Sequence, residues 1–281
     1  MKNIIACIDG STFTFATCEA SAWVAKKVDA PLVLLHALDK TMRPVVSELS
    51  GQIGLGSQEE LLNELADLDE ARSKIALKHG NKLLEEAKTW ASKEGVSDVR
   101  KLQRHGNLLD SLIDLENEIR VLVIGKSGEE SSINKTIGSQ LESVIRSISA
   151  HILVVSEPFA VPNSYLIAFD GSPTSHKLIE KAMKTPLLVG LECHLVMVDD
   201  SGNKSTEFEQ AATQLRDAGL SVNESILAGS VDEALLTYQQ QHQIGLFVMG
   251  AYGHSKLRQF FVGSNTTEVL AKSKVPILVI R

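Results

Sequence analysis

Residues Asn3-Ile4-Ile5-Ala6-Cys7-Ile8-Asp9-Gly10-Ser11 form an apolar run closed by Asp-Gly-Ser, and Ser164-Tyr165-Leu166-Ile167-Ala168-Phe169-Asp170-Gly171-Ser172 form another past the midpoint. Each copy is followed, much later, by a second apolar run that empties into a glycine-spaced loop. In the first half the loop reads Gly125-x2-Gly128-x9-Gly138-Ser139, and in the second Gly250-x2-Gly253-x9-Gly263-Ser264. An internal repeat on this scale decides the architecture before any single residue is weighed. The chain carries two domains of one kind.

Between these markers, short apolar runs alternate with amphipathic ones. The first half predicts strands at Asn3–Ile8, Leu32–Ala37, Asp98–Gln103, Val121–Ile124 and His151–Val155. Its helices fall near Phe13–Val28, Glu70–Glu94, Leu108–Asn117 and Ser139–Ser149. The second half predicts strands at Tyr165–Phe169, His194–Val198, Ser221–Leu227, Leu246–Met249 and Pro276–Ile280. Its helices fall near Ser175–Leu188, Thr206–Ala218, Val231–Gln241 and Ser264–Lys274. Short strands rich in Val, Ile and Leu on both faces belong to a parallel sheet covered by helices. Strict β-α alternation then predicts an α/β fold with doubly wound layers. Pro158 and Pro162 punctuate the break, giving domains at 1–157 and 163–281.

The halves are unequal. From Asp9 to Gly125 is 116 residues, but from Asp170 to Gly250 only 80. The surplus is an insert at about 40–72, which opens loop-like around Gly51, Gly54 and Gly56 and then takes helical spacing over Gln58–Leu65. An insert of this length reads either as a solvated excursion or as a lid over a ligand.

A length of 281 residues, 43% hydrophobic and 22% charged, suits two globular domains with their own cores. The net charge of −7 argues against a nucleic-acid partner, since phosphate backbones select basic faces. No apolar run approaches the roughly 20 residues of a membrane span, so no membrane partner is expected. Met1-Lys2-Asn3 leads straight into a strand without the apolar core of a signal peptide. Cys7, Cys18 and Cys193 are odd in number, widely spaced and free of CxxC pairing. Cys7 lies inside an apolar strand pattern and reads as a buried thiol of a reducing compartment, and a cytoplasmic location is expected.

In an open α/β sheet, ligands sit beyond the carboxyl ends of the strands where strand order reverses. Asp9 and Asp170 close first strands, and Gly125 and Gly250 follow fourth strands. If those strands are neighbours, each aspartate and its glycine loop face one crevice. Glycines let backbone approach an anion closely, and the closing Gly-Ser opens a helix whose free N–H groups favour phosphate. A lone Gly-x2-Gly is an ordinary strand-to-helix turn. Two copies of the longer spacing, each preceded by an Asp-terminated strand, carry the argument. The spacing is neither a Walker A loop nor a dinucleotide-binding Gly-x-Gly-x-x-Gly.

On these residues the chain resembles two universal stress protein domains fused in tandem and covering essentially all of it. The family's nucleotide-binding pattern, Gly-x2-Gly-x9-Gly-Ser/Thr, is met at Gly250, Gly253, Gly263 and Ser264, and again at Gly125, Gly128, Gly138 and Ser139. The resemblance implies two flavodoxin-like (Rossmann-like) domains, each with a five-stranded parallel sheet, and ATP or a related adenine nucleotide as ligand, with Mg accompanying it. It implies that Asp170 and Asp9 stand beside adenine and ribose, and that second-strand backbone near Met197 and Ala37 contacts the base. Asn265 and Thr266 fall where the phosphate-proximal helix begins. It also implies that the two final strands meet, so that one chain mimics a dimer. A homodimer of the whole chain is left open.

The second loop carries His254, Lys256 and Arg258 after its second glycine, whereas the first carries Glu129 and Glu130 there. Carboxylates oppose a polyphosphate, with Lys126 and Lys135 as partial compensation. Nucleotide is therefore expected preferentially in the second domain, and the first is a weaker second site. His36 reads as a packed core histidine, and Trp23 and Trp90 as core or interdomain packing. Spacing supplies no Ser-His-Asp set, paired carboxylates or metal-ligand cluster. The leading function is a non-catalytic, ATP-binding stress-response regulator with unknown protein partners. The alternatives are a slow ATP hydrolase, or a protein-interaction or small-molecule-binding scaffold with a different ligand in the first domain.

Overall fold

Val, Leu and Ile fill both faces of nearly every strand, so the sheet needs helices on both sides. The computed structural model describes residues 2–38, 55–126, 139–199, 205–250 and 265–281, with backbone alone at 55–63, 139, 205 and 265–268. The first half contains β1 (Asn3–Cys7), α1 (Phe13–Val28), β2 (Leu32–Leu38), α2 (Leu55–Lys93), β3 (Val99–His105), α3 (Leu108–Asp114), β4 (Ile119–Gly125), α4 (Ser139–Ser147) and β5 (His151–Val155). The second contains β6 (Ser164–Phe169), α5 (Pro173–Lys184), β7 (Glu192–Val198), α6 (Ser205–Asp217), β8 (Val222–Leu227), α7 (Val231–Gln241), β9 (Leu246–Gly250), α8 (Asn265–Lys272) and β10 (Ile277–Ile280).

The strand order is β3-β2-β1-β4-β5-β10-β9-β6-β7-β8. Each half is a five-stranded parallel sheet whose order reverses between its first and fourth strands. The two sheets are joined into one, because β5 and β10 pair antiparallel with Ile277 opposite Val154 and Val279 opposite Ile152. The expected meeting of the final strands is thus a direct backbone ladder. Ile152, Leu153, Val154, Ile277, Leu278 and Val279 are each at most 5% exposed. At about 1.5–3 kcal/mol for each buried aliphatic side chain, the seam is built like a domain interior.

Two apolar layers sandwich the sheet, and both run through the two halves. One packs α1, α2, α5 and α6 against residues such as Ile4, Leu34, Tyr165 and Leu195. The other packs α3, α4, α7 and α8 against Ile5, Leu35, Leu166 and Val196. Small residues Ala16, Ala20, Ala22 and Ala25 let α1 lie close to the sheet. Trp23 meets Phe159 of the connecting segment at 6.1 Å, and Trp90 meets Phe15 edge-on at 5.5 Å.

One element differs in kind from the sequence reading. The helical spacing at Gln58–Leu65 and the helix near Glu70–Glu94 are one helix of 39 residues, α2. No proline or glycine falls between Ser57 and His79, and Ala66, Leu68, Glu70, Ala71 and Arg72 are good helix formers. The two segments therefore have nothing to separate them. Residues 40–54 of the insert lie outside the described residues.

Candidate functional site

Both Asp-Gly-Ser closures are aspartate-tied turns. In the first half Asp9 Oδ1 accepts from the Ser11 N–H at 3.0 Å and from Thr14 Oγ1 at 3.3 Å, while the Gly10 N–H donates to Thr14 Oγ1 at 3.0 Å. In the second, Asp170 Oδ1 accepts from the Ser172 N–H at 2.9 Å. Gly10 and Gly171 have φ of +86° and +73°, the left-handed region that glycine enters without steric cost. Ser172 then caps α5, its Oγ accepting from the Ser175 N–H at 3.2 Å, with Pro173 in the first helical turn. In both copies aspartate ties the turn and glycine makes it; serine caps the helix only in the second, since α1 starts from Thr12 without a side-chain cap and Ser11 Oγ accepts from the Phe13 N–H at 3.3 Å. Asp9 and Asp170 are both solvent-exposed.

Ala6 stands opposite Val123 and Ile167 opposite Val248. These registers carry Asp9 and Gly125 to one pair of strand ends, and Asp170 and Gly250 to the other. Gly125 and Gly250 are the last residues of β4 and β9 and are half-buried. The aspartate and the glycine that opens the loop therefore flank one crevice in each half, at the point where strand order reverses. Asn265 and Thr266 begin α8, and Ser139 begins α4. Gly128, Gly138, Gly253, Gly263 and Ser264 lie outside the described residues, as do Glu129, Glu130, Lys135, His254, Lys256 and Arg258.

The second-strand positions stand one residue out of step with each other. Leu32 lies opposite Ile4 and Cys193 opposite Tyr165, so Met197 corresponds to His36, and Val198 to Ala37. Met197 is 1% exposed, its side chain in the core, whereas Val198 and Ala37 are half-buried at the crevice. Ala37 and Val198 pair outward, with Arg104 and Leu227, and both lie past the last pair that their strands make with β1 and β6.

The two crevices differ in what covers them. A Cβ on Gly10 would stand 3.7 Å from Leu83 Cδ2 and 3.9 Å from His79 Cε1, so α2 overlies the Asp9 turn. The helix gets there because Gly80 has no side chain. A Cβ at Gly80 would lie 2.5 Å from Cδ2 and 2.9 Å from Nε2 of His36, and would also collide with the Gln103 amide. His36 is the packed core histidine the sequence suggests: it is 8% exposed, and its Nδ1–H donates to the Ile8 carbonyl at 2.6 Å. Gly80 is a residue that sequence reasoning misses. A single glycine within a helical pattern is the available sign of close approach.

Lys126 does not serve its own half's loop. Its Nζ donates to the carbonyls of Ala271 and Ser273 at 2.7 and 2.8 Å, closing the C-terminal end of α8 in the other half. Burial pulls its pKa down. The same end of α8 is pinned a second time, by Lys272 Nζ at 3.1 Å from Asp232 Oδ2. Ser230 Oγ donates to Asp232 Oδ1 at 2.6 Å, and this bond, with Lys272, holds the Asp232 carboxyl below the usual aspartate range. Among the described residues, no group of three or more His, Cys, Asp or Glu is placed to hold a metal ion.

The model of the universal stress protein family matches residues 1–156 and again 164–281. The chain belongs to the universal stress protein family. A universal stress protein of Synechocystis sp. is 34% identical over 287 residues, spanning the whole of both chains. One of Mycobacterium tuberculosis is 24% identical over 217 residues, covering 68% of this chain and 73% of that one. The crystal structure of a universal stress protein from Archaeoglobus fulgidus superposes with a TM-score of 0.71 at 17% identity, covering 99% of this chain and 96% of the other. At that identity the likeness speaks for the fold. The tandem arrangement of two universal stress protein units is thus common to the family match and to the ten-stranded sheet.

Proposed function

We propose that this protein is a non-catalytic regulator of the stress response that binds an adenine nucleotide, ATP foremost, preferentially in its second half. The observation that carries the reading is the crevice between β6 and β9. There the exposed, turn-tied Asp170, the half-buried Val198 backbone and the strand-ending Gly250 converge, with α8 starting at Asn265. Asp170 serves ribose and adenine, the backbone at Met197–Val198 serves the base edge, and the loop from Gly250 through Gly253, Gly263 and Ser264 serves the phosphates with the N-terminal turn of α8.

Two features favour the second half. In the first, α2 overlies the Asp9 turn through His79 and Leu83. There, too, Lys126 is committed to the carbonyls of α8, so the Glu129–Glu130 loop loses the cation next to it. Asp9, Ala37, Gly125, Gly128, Gly138 and Ser139 make the weaker site, and the cover of α2 suits a different ligand there. The carboxylates of Asp9 and Asp170 each accept from the backbone of their own turns, so magnesium is proposed to arrive with the nucleotide rather than on these two residues. The free, buried thiols of Cys7, Cys18 and Cys193 suit the cytoplasm.

The test is calorimetric titration of the full chain with ATP, followed by mass analysis of the bound fraction. Saturable binding with the nucleotide recovered intact supports the proposal. Multiple turnovers per second, in the range of about 1–10³ s⁻¹ usual for enzymes, would replace it with an ATPase, and the absence of saturable binding would remove it.

A further inference from the structure

A cavity of about 310 Å³ opens between the halves, and cations dominate its polar lining. Arg120 of β4 and His151 at the start of β5 come from the first half. Lys181 and Lys184 in the last turn of α5, and Arg281 just beyond β10, come from the second. No Asp or Glu is among the described residues that line it, although the chain as a whole carries a net charge of −7. The remaining walls are largely apolar, including Val28, Val121 and Leu187.

Arg281 gives the cavity its chemistry. Its Nε and Nη2 are buried and have no hydrogen-bond partner. These two nitrogens share one edge of the guanidinium, the edge that grips two oxygens of a phosphate or carboxylate side by side. Arg281 as a whole is half-buried, but two guanidinium nitrogens shut away from water without an acceptor are costly to keep, and an anion reaching that edge would supply one. The Arg281 N–H donates to His151 Nδ1 at 3.2 Å. That bond keeps the imidazole neutral with its hydrogen on Nε2, as do the burial and the nearby Lys181 that lower its pKa. Glu116 acts on Arg281 from a distance, but its carboxylate is held by the Ser149 N–H at 2.8 Å and by the Ser149 hydroxyl. Arg120 is anchored through Nη1 to the Val28 carbonyl at 2.9 Å.

We propose that this cavity binds a small oxyanion of two or more negative charges, of the pyrophosphate class, and that the ligand bridges the two halves. The volume lies at the lower end of the roughly 300–1,000 Å³ typical of ligand sites, which suits an anion of this size rather than a nucleotide. None of the described residues that line it belongs to a glycine loop, but Arg281 directly follows Ile280, the register partner of Gly250, so the experiment has to tell the two sites apart.

The experiment is calorimetric titration of the full chain with sodium pyrophosphate, run in parallel on Arg281→Gln and Gly263→Val, with circular dichroism confirming folding. The expected result is saturable binding that weakens at least ten-fold in Arg281→Gln, persists in Gly263→Val and declines as sodium chloride is raised. Loss of binding in Gly263→Val with retention in Arg281→Gln would place the anion in the glycine loop and overturn the proposal. So would the absence of saturable binding in the unaltered chain. Should Arg281→Gln fail to fold, Lys184→Gln, at an exposed position of α5, carries the same expectation and the same refutation.

Discussion

Replacing Gly80 by alanine is expected to destabilise the first half, although alanine is the better helix former. On an open helix face the change would stabilise by about 1 kcal/mol. Here the new methyl would stand 2.5 Å from His36 Cδ2, where non-bonded carbons do not come. The Gln103 amide is the end of a flexible chain and can withdraw, but the His36 ring is held at its other side by the Ile8 carbonyl at 2.6 Å. Either α2 lifts from the sheet, at the about 1–3 kcal/mol typical of overpacking, or the ring swings away and orphans a buried carbonyl, at a similar cost of about 1–3 kcal/mol. Set against the helical gain of about 1 kcal/mol, the net loss is up to about 2 kcal/mol. For a unit of this size each kcal/mol is read as about 2–4 °C in midpoint. The assay is differential scanning calorimetry of the full chain and of Gly80→Ala, His36→Ala and the double variant. Gly80→Ala should lower the melting midpoint, and should cost far less when His36 is already alanine. A rise in midpoint for Gly80→Ala alone would show that α2 does not bear on His36, and would remove the argument that it overlies the Asp9 turn.

Lys126→Met keeps the stem but removes the cation from the C-terminal end of α8, and should cost up to about 2 kcal/mol, the upper range for a cation at a partly buried helix end. Unchanged melting would contradict the cross-seam cap. Asp232 has a folded pKa below its unfolded one, so its contribution is present above the unfolded value and is lost as pH falls through the folded value. Melting curves from pH 7 to pH 2 should therefore show a steeper acid limb in the parent than in Asp232→Asn, and superimposable limbs would refute the link between α7 and α8. Burial pushes the Cys18 and Cys193 thiols up to about 12 and about 11, and Cys7 higher still. A thiol reagent at pH 8 should label the native protein slowly and all three cysteines rapidly after unfolding; prompt labelling of the native state would contradict their burial.

Most of the fold was legible because its determinants are local and repeated. Two Asp-terminated apolar runs and two glycine loops locate the strands that flank each crevice. The β-α alternation supplies the rest, and strand limits differ from expectation by at most two residues at an end. The fusion of the insert into α2 was legible in part. The helical spacing was visible, but its continuity depended on residues 66–69, where Asp67 and Asp69 alternate with Ala66 and Leu68 and do not themselves declare a helix. The equivalence of Val198 with Ala37 was present in the sequence too, since the offset from Asp9 to Asp170 is the offset from Ala37 to Val198. Lys126 and the cationic cavity were not legible. Lys126 sits in the first half and bonds carbonyls more than a hundred residues away, and the cavity gathers side chains from β4, β5, α5 and the end of β10. Such contacts come from how one half docks on the other, which no local pattern encodes.

Preferential binding of nucleotide by the second half is the central claim. A thermal-shift titration with ATP, on the parent chain and on Gly138→Val and Gly263→Val, tests it most directly. A valine at either glycine blocks the close approach of backbone to phosphate. A ligand at a hundred-fold excess over its Kd stabilises the folded state by about 2.7 kcal/mol, well within the reach of such a titration. The predicted result is an ATP-dependent rise in midpoint that Gly263→Val abolishes and Gly138→Val largely retains. The reverse pattern, with Gly138→Val abolishing the shift and Gly263→Val leaving it intact, would contradict the assignment to the second half.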